Sequence, residues 1–245
     1  MLFTAMAASA GHAETVSVRH PEGTLRGFLA LYSEDGNRIG TGELAQSVHG
    51  DRVSSQLVYR FQDGSIDEER AVFTQRSIFR LVFDHHVQRG PSFPHPLDMT
   101  IDVAKGQVTT RDDKGTETKH MDLPKDLANG SILTLMKNFD VAAPQHTLSF
   151  LVAAPKPRLV KLVIKPTQED PFDVGPIRNK ALCMLVHIDI GGVAGVVAPL
   201  VGKQPGDIKV WIEEGDAPTF IREAGAFYGG GPTWIVELTS PVWGK

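Results

Sequence analysis

Apolar and polar residues alternate with a period of two along most of the chain, in short runs separated by Gly, Pro, Asn and Asp clusters. That rhythm predicts an antiparallel, mainly β fold, because successive side chains of a strand point to opposite faces. In "SQLVYRF" the residues Leu57, Tyr59 and Phe61 share a face, and Asp63-Gly64 supplies a turn. In "SIFRLVFDHHV" strict alternation places Phe79, Leu81, Phe83, His85 and Val87 on one side, and Arg80, Asp84, His86 and Gln88 mostly on the other. "RLVKLVI", "ALCMLVHIDI", "DIKVWIEE" and "PTWIVEL" continue the pattern towards the C-terminus. With weaker candidates the chain holds about a dozen strands, more than a flat open sheet accommodates. The expectation is a large curled antiparallel sheet, a barrel or half-barrel, or a sheet split into two layers.

One segment changes period. "MDLPKDLANGSILTLMKNF", residues 121 to 139, carries Ala128, Ile132, Leu135, Met136 and Phe139 at helical spacing, with Pro124 in the first turn, where its missing N–H costs nothing. Gly130 interrupts it at a cost of about 1 kcal/mol relative to alanine. The pattern predicts one helix with its apolar face against the concave side of the sheet.

The first thirteen residues are small and apolar and end in "GHA", the residue sizes a signal peptidase accepts, so they read as a secretory leader. Residues 14–245 then form a single β-rich domain, with 14–140 and 141–245 as its two halves. The expected location is periplasmic or secreted. The longest later apolar run, residues 190 to 202, contains a proline and is too short to span a bilayer, so no transmembrane helix is expected.

Apolar residues make up 41% and charged residues 22% of the chain, which is ordinary for a folded, soluble protein. The net charge of −4 arises from mixed signs and leaves no basic stripe for nucleic acid. Cys183 is the only cysteine, which removes internal disulfides and cysteine-based zinc cages.

Three histidines fall within "FDHHVQRGPSFPHPLD". His85 and His86 point to opposite faces of a regular strand, but Asp84 and His86 share one, and His95 can return from the loop. Together they form the candidate two-histidine, one-carboxylate set of a metal-dependent hydrolase. Ser92 lacks the final glycine of a nucleophile elbow, and "VGKQPGD" lacks the Ser/Thr and first glycine of a phosphate loop. No cofactor is implied. The acidic runs at 67–69 and 213–214 adjoin turns or strand ends and read as solvated edges.

After "DLPKDLANGSILTLMKN" come "RLVKLVI", "ALCMLVHIDI" and "GDIKVWIEEGDAPTFIREAG". This layout of a helix inserted before the last strands resembles periplasmic β-proteins of unknown function and, more loosely, the lipoprotein and lipid carriers of the bacterial envelope. The resemblance implies a non-catalytic protein whose concave surface holds an apolar ligand, such as an acyl chain or a lipidated peptide. Phe79, Leu81, Phe83, Leu133, Met136 and Trp211 are the lining residues it suggests. The expected partner is that apolar molecule or another envelope protein. A scaffold that only offers strand edges to an envelope partner is the remaining alternative.

Overall fold

The computed structural model describes residues 14–112, 115–153, 156–174, 177–191 and 205–239. The proposed leader and most of the glycine-rich run at 190–202 lie outside these residues. Eight strands come first: β1 (Leu25–Ser33), β2 (Arg38–His49), β3 (Arg52–Phe61), β4 (Ile66–Gln75), β5 (Phe79–Arg89), β6 (Leu97–Asp102), β7 (Gln107–Asp112) and β8 (Gly115–His120). A short helix, α1 (Ile132–Met136), precedes β9 (His146–Val152), β10 (Arg158–Val174), β11 (Ile177–Asp189), β12 (Ile208–Glu213), β13 (Thr219–Gly225) and β14 (Trp234–Thr239).

The fourteen strands form one antiparallel sheet in the order β8-β7-β6-β5-β4-β3-β2-β1-β14-β13-β12-β11-β10-β9. Each half of the chain is a meander, and the halves join where β1 pairs with β14 over Phe28 to Ser33. The sheet is curled but not closed, as expected for a twisted sheet of this many strands.

The two edges, β8 and β9, approach each other, and Lys119 of β8 donates to the Pro157 carbonyl beyond β9. The segment before α1 fills the seam. Leu127 forms a parallel bridge with Ser149 of β9. The Asn129 amide donates to the Leu151 carbonyl at 3.0 Å and accepts from the Leu151 N–H at 2.8 Å, as a neighbouring strand would. Asp126 accepts from the Ser149 N–H and hydroxyl. The exposed edge of β9 is thereby satisfied without a further strand.

These bonds also explain why the predicted helix shrinks to residues 132–136. Gly130 adopts a positive φ of 62°, which ends any helix running through it, and the residues just before it bond to β9 instead. The shortened helix still packs on the concave side: Leu135 and Met136 join Val53, Phe73, Leu148 and Ile212 in the largest core cluster. Asn129→Ala removes both bonds to β9 and leaves a buried N–H and C=O without partners, so it is expected to cost about 2–3 kcal/mol in urea unfolding.

Of four register shifts among the described strands, two decide which side chains reach the interior at β5 and β13. Between β4 and β5, Val72 pairs with Phe83 but Phe73 pairs with Leu81, so Val82 is an extra residue. Phe79 and Leu81 face the core, and beyond the bulge Asp84, His86 and Gln88 face inwards while Phe83, His85 and Val87 turn outwards. Between β12 and β13, Trp211 pairs with Arg222 but Ile212 pairs with Phe220, which makes Ile221 the extra residue. Phe220 and Glu223 therefore both face inwards. The single-faced reading of residues 79 to 87 fails because one inserted residue inverts everything after it.

Candidate functional site: an acidic hollow inside the barrel

The register carries rows of inward side chains around the barrel. One row is Leu29, Gly42, Tyr59, Asp67 and Gln88, and the next is Gly27, Leu44, Leu57, Glu69 and His86. The first row abuts an aromatic cluster that includes Tyr59, Phe61, Phe93 and Trp234. The core around α1 occupies the other end. Between them the packing is incomplete: Leu44, Leu57, Glu69, His86 and Glu223 point inwards yet keep partial contact with water.

Glycine shapes this level. A Cβ on Gly42 would fall 2.7 Å from the Tyr59 ring, so only glycine lets that ring lie across β2. A Cβ on Gly27 would meet nothing nearer than Leu44 at 3.9 Å, so the space beside Gly27 is open. Beside it, Leu25 and Leu238 belong to the inward-facing sets of β1 and β14 but are 40% and 42% exposed. The hollow thus has an aliphatic side of leucines and an acidic side.

The acidic side is assembled from three strands. Asp67 and Glu69 come from β4, Asp84 and His86 from β5, and Glu223 from β13 across the lumen. His86 Nε2 lies 2.8 Å from Asp67 Oδ1, and Gln88 donates to Asp67 Oδ2 at 2.8 Å and to the Phe227 carbonyl at 3.0 Å. Asp84 is fully buried and neither of its oxygens has a well-formed hydrogen bond. Gly130 of the seam segment presses on it: a Cβ there would overlap Ala71 and come 2.7 Å from Asp84 Oδ1. The Gly130 N–H bonds to Glu69.

Burial and mutual repulsion set the protonation. Burial, reinforced by Asp67 and Glu69, pushes Glu223 up to about 7. Burial raises Asp84 well above the carboxylate range, with the Glu69 charge adding to it. Glu69 is raised mainly by burial. Burial also raises the Tyr59 hydroxyl, ahead of the charges of Glu223, Asp67 and Glu69. For His86 burial acts downwards, but the Asp67 charge and hydrogen bond, with Glu69 and Asp84, outweigh it and lift the imidazole to about 9. His86 is therefore an imidazolium paired with Asp67 at neutral pH, and the remaining acids share too little positive charge.

The residues suggested by the sequence separate into groups. Phe79 and Met136 lie in the packed core, with Leu133 against it, and Leu81 lies in the neighbouring cluster by the seam. The void lined by Phe79, Leu81, Leu127 and Leu135 measures only ≈ 10 Å³, about the space of one water. Phe83 faces outwards because of the Val82 bulge. Trp211 also faces outwards, since its neighbours Val210 and Ile212 fill the core; its indole N–H bonds to Asp170 at 2.8 Å.

Asp84 and His86 share the interior, but His95 sits exposed on the loop after β5, so the proposed metal set does not assemble. No group of three or more His, Cys, Asp or Glu side chains among the described residues is arranged to hold a metal ion. His85 instead pairs on the outside with Asp98 at 3.0 Å. The acidic run at 67–69 is not simply a solvated edge, for Asp67 is buried. The usable signal was parity: Asp67 and Glu69 alternate in phase with Ala71 and Phe73, which puts them on the core face.

No protein-family model and no curated protein matches the sequence. Among solved structures, the chain is similar to a β-barrel-like protein of domain of unknown function DUF1849 from Brucella abortus. The TM-score is 0.50 at 10% identity, over 87% of this chain and 95% of that one. A second match is the hypothetical lipoprotein YmcC from Escherichia coli (K12), with a TM-score of 0.35 at 7% identity, over 88% of this chain and 84% of that one. Among the described residues no helix is long and apolar enough to cross a membrane. What the first likeness establishes is a shared β-barrel-like fold.

Proposed function

We propose that the protein is a non-catalytic protein of the bacterial envelope that binds an apolar molecule inside its curled sheet. The observation that carries this reading is the set of inward-facing leucines left in contact with water. Leu25 and Leu238 are 40% and 42% exposed at the opening beside Gly27, and Leu44 and Leu57 continue the surface inwards. Burying such a surface under a hydrocarbon chain is favourable by about 25 cal/mol per Å². In this reading the site sits one level above the α1 core. Phe79, Leu81, Leu133 and Met136 form the packed layer beneath it, reached only by a ligand that displaces the seam segment.

The test is direct. Lipid extracted from the purified protein is expected to appear in mass spectrometry, and a fluorescent fatty-acid probe is expected to bind saturably. Gly27→Phe fills the open space without backbone strain, so it should abolish probe binding while leaving the unfolding free energy within about 1 kcal/mol of the unaltered protein. Absence of saturable binding by the unaltered protein, together with no co-purified lipid, overturns the proposal.

A further inference from the structure

The acidic wall of the hollow has a single counter-charge. Four carboxyl groups, Asp67, Glu69, Asp84 and Glu223, face one imidazole, His86, which is already engaged by Asp67 at 2.8 Å. The other groups facing them are the Tyr59 hydroxyl, the Gln88 amide and the Gly130 N–H, none of which carries positive charge. The neighbouring cations point away. Arg70 pairs with Glu68, and Arg222 lies over the Trp211 ring at 5.3 Å and near Glu237 at 3.5 Å. Asp84 is buried with both oxygens lacking well-formed bonds, an arrangement that costs free energy unless a proton or a cation compensates it.

We infer that this hollow selects apolar molecules whose polar end is a cationic nitrogen, such as a long-chain amine, over those ending in a carboxylate. The chain lies along Leu25, Leu44, Leu57 and Leu238, and the ammonium sits among Glu69, Glu223 and the Asp67–His86 pair. The two halves of the recognition adjoin: an aliphatic surface open to water and, beside it, an excess of acid that a carboxylate headgroup would worsen. The inference rests on the apolar-ligand reading and adds the chemistry of the headgroup.

Binding then displaces protons from the acids, so affinity for an amine rises with pH as Glu223 and Glu69 ionise, whereas affinity for an uncharged alcohol stays nearly constant. The experiment is displacement of a neutral fluorescent probe, N-phenyl-1-naphthylamine, by dodecylamine, dodecanol and dodecanoate at pH 8 and at pH 5.5. At pH 8 dodecylamine is expected to displace the probe at a concentration at least about tenfold lower than dodecanoate, equivalent to ~1.4 kcal/mol. That preference should shrink several-fold at pH 5.5 and in the Glu69→Gln/Glu223→Gln variant. Equal displacement by all three, or a preference for dodecanoate, with the probe well bound, overturns the headgroup assignment and leaves the apolar-ligand reading standing. Failure of the probe and of all three compounds to bind overturns both. The pH comparison uses the unaltered protein, so it decides the matter even if the double variant does not fold.

Discussion

Gly130→Ala is expected to lower the stability of the protein by about 3 kcal/mol or more. Two independent costs add. Gly130 has a φ of 62°, a conformation that charges an L-residue about 1–2 kcal/mol. The new methyl would also overlap Ala71 and stand 2.7 Å from Asp84 Oδ1, and both neighbours are buried on adjacent strands with no room to yield. Relief requires lifting the seam segment, which breaks the Asn129 bonds to β9 and the Gly130 bond to Glu69. For a chain of this size the loss corresponds to a fall of roughly 6–12 °C in Tm. Thermal unfolding followed by circular dichroism reads it, and a change under about 2 °C would mean that the seam segment does not press on β4 and β5.

The second large effect is an unusual dependence of stability on pH. Most proteins gain stability as their paired carboxylates ionise, but here the interior groups act the other way. Glu223 has an ordinary value of 4.5 and lies at about 7 in the fold, so the native state holds its proton more tightly than the unfolded chain does. Its cost is absent at low pH and grows as pH rises from about 4.5 through 7. His86 is raised from 6.5 to about 9, so its stabilisation is complete below 6.5 and is lost as pH rises through about 9. Asp84 and Glu69 are raised too and add in the same direction.

In every case the native state binds more protons, and stability falls as pH rises. The expected loss between pH 5.5 and pH 9 is about 3 kcal/mol, held below the sum of the separate shifts because the groups repel one another. On the acid side the lowered carboxylates act in the familiar sense. Asp140, held down by the Ala142 amide and Arg19, and Asp63, where hydrogen bonds from Ser92 and Ser65 outweigh burial, lose their contribution as pH falls. The optimum should therefore lie near about pH 5. Urea midpoints across that range measure it, and Glu223→Gln should flatten the slope between pH 5 and 7. A maximum near pH 8 would contradict the protonation pattern of the interior.

The architecture was legible because most strands obey simple alternation: "SQLVYRF" and "RLVKLVI" fold as their periodicity requires, with Tyr59, Phe61, Val160 and Ile164 buried. The inserted segment was recognisable by its change of period, but not its shape. Helical spacing of Ala128, Leu135 and Met136 serves equally well for a strap that puts the same residues into the core, and the bonds from Asn129 and Asp126 to β9 depend on a partner far along the chain. The site was hidden for a different reason. Bulges at Val82 and Ile221 leave no local composition signal, yet each inverts the faces beyond it, sending Phe83 outwards and bringing Asp84, His86 and Glu223 in. Asp67 and Glu69 were readable by parity with Phe73, but adjacency to the Asp63-Gly64 turn suggested solvent instead.

The site depends on acids and a histidine facing the inside of the curled sheet after each bulge. Nuclear magnetic resonance titration of the His86 ring and the Glu223 carboxyl tests this most directly. His86 is expected to titrate at about 9 and Glu223 at about 7. A histidine titrating near 6.5 and a glutamate near 4.5, the ordinary values of side chains in water, would place both outside and contradict it.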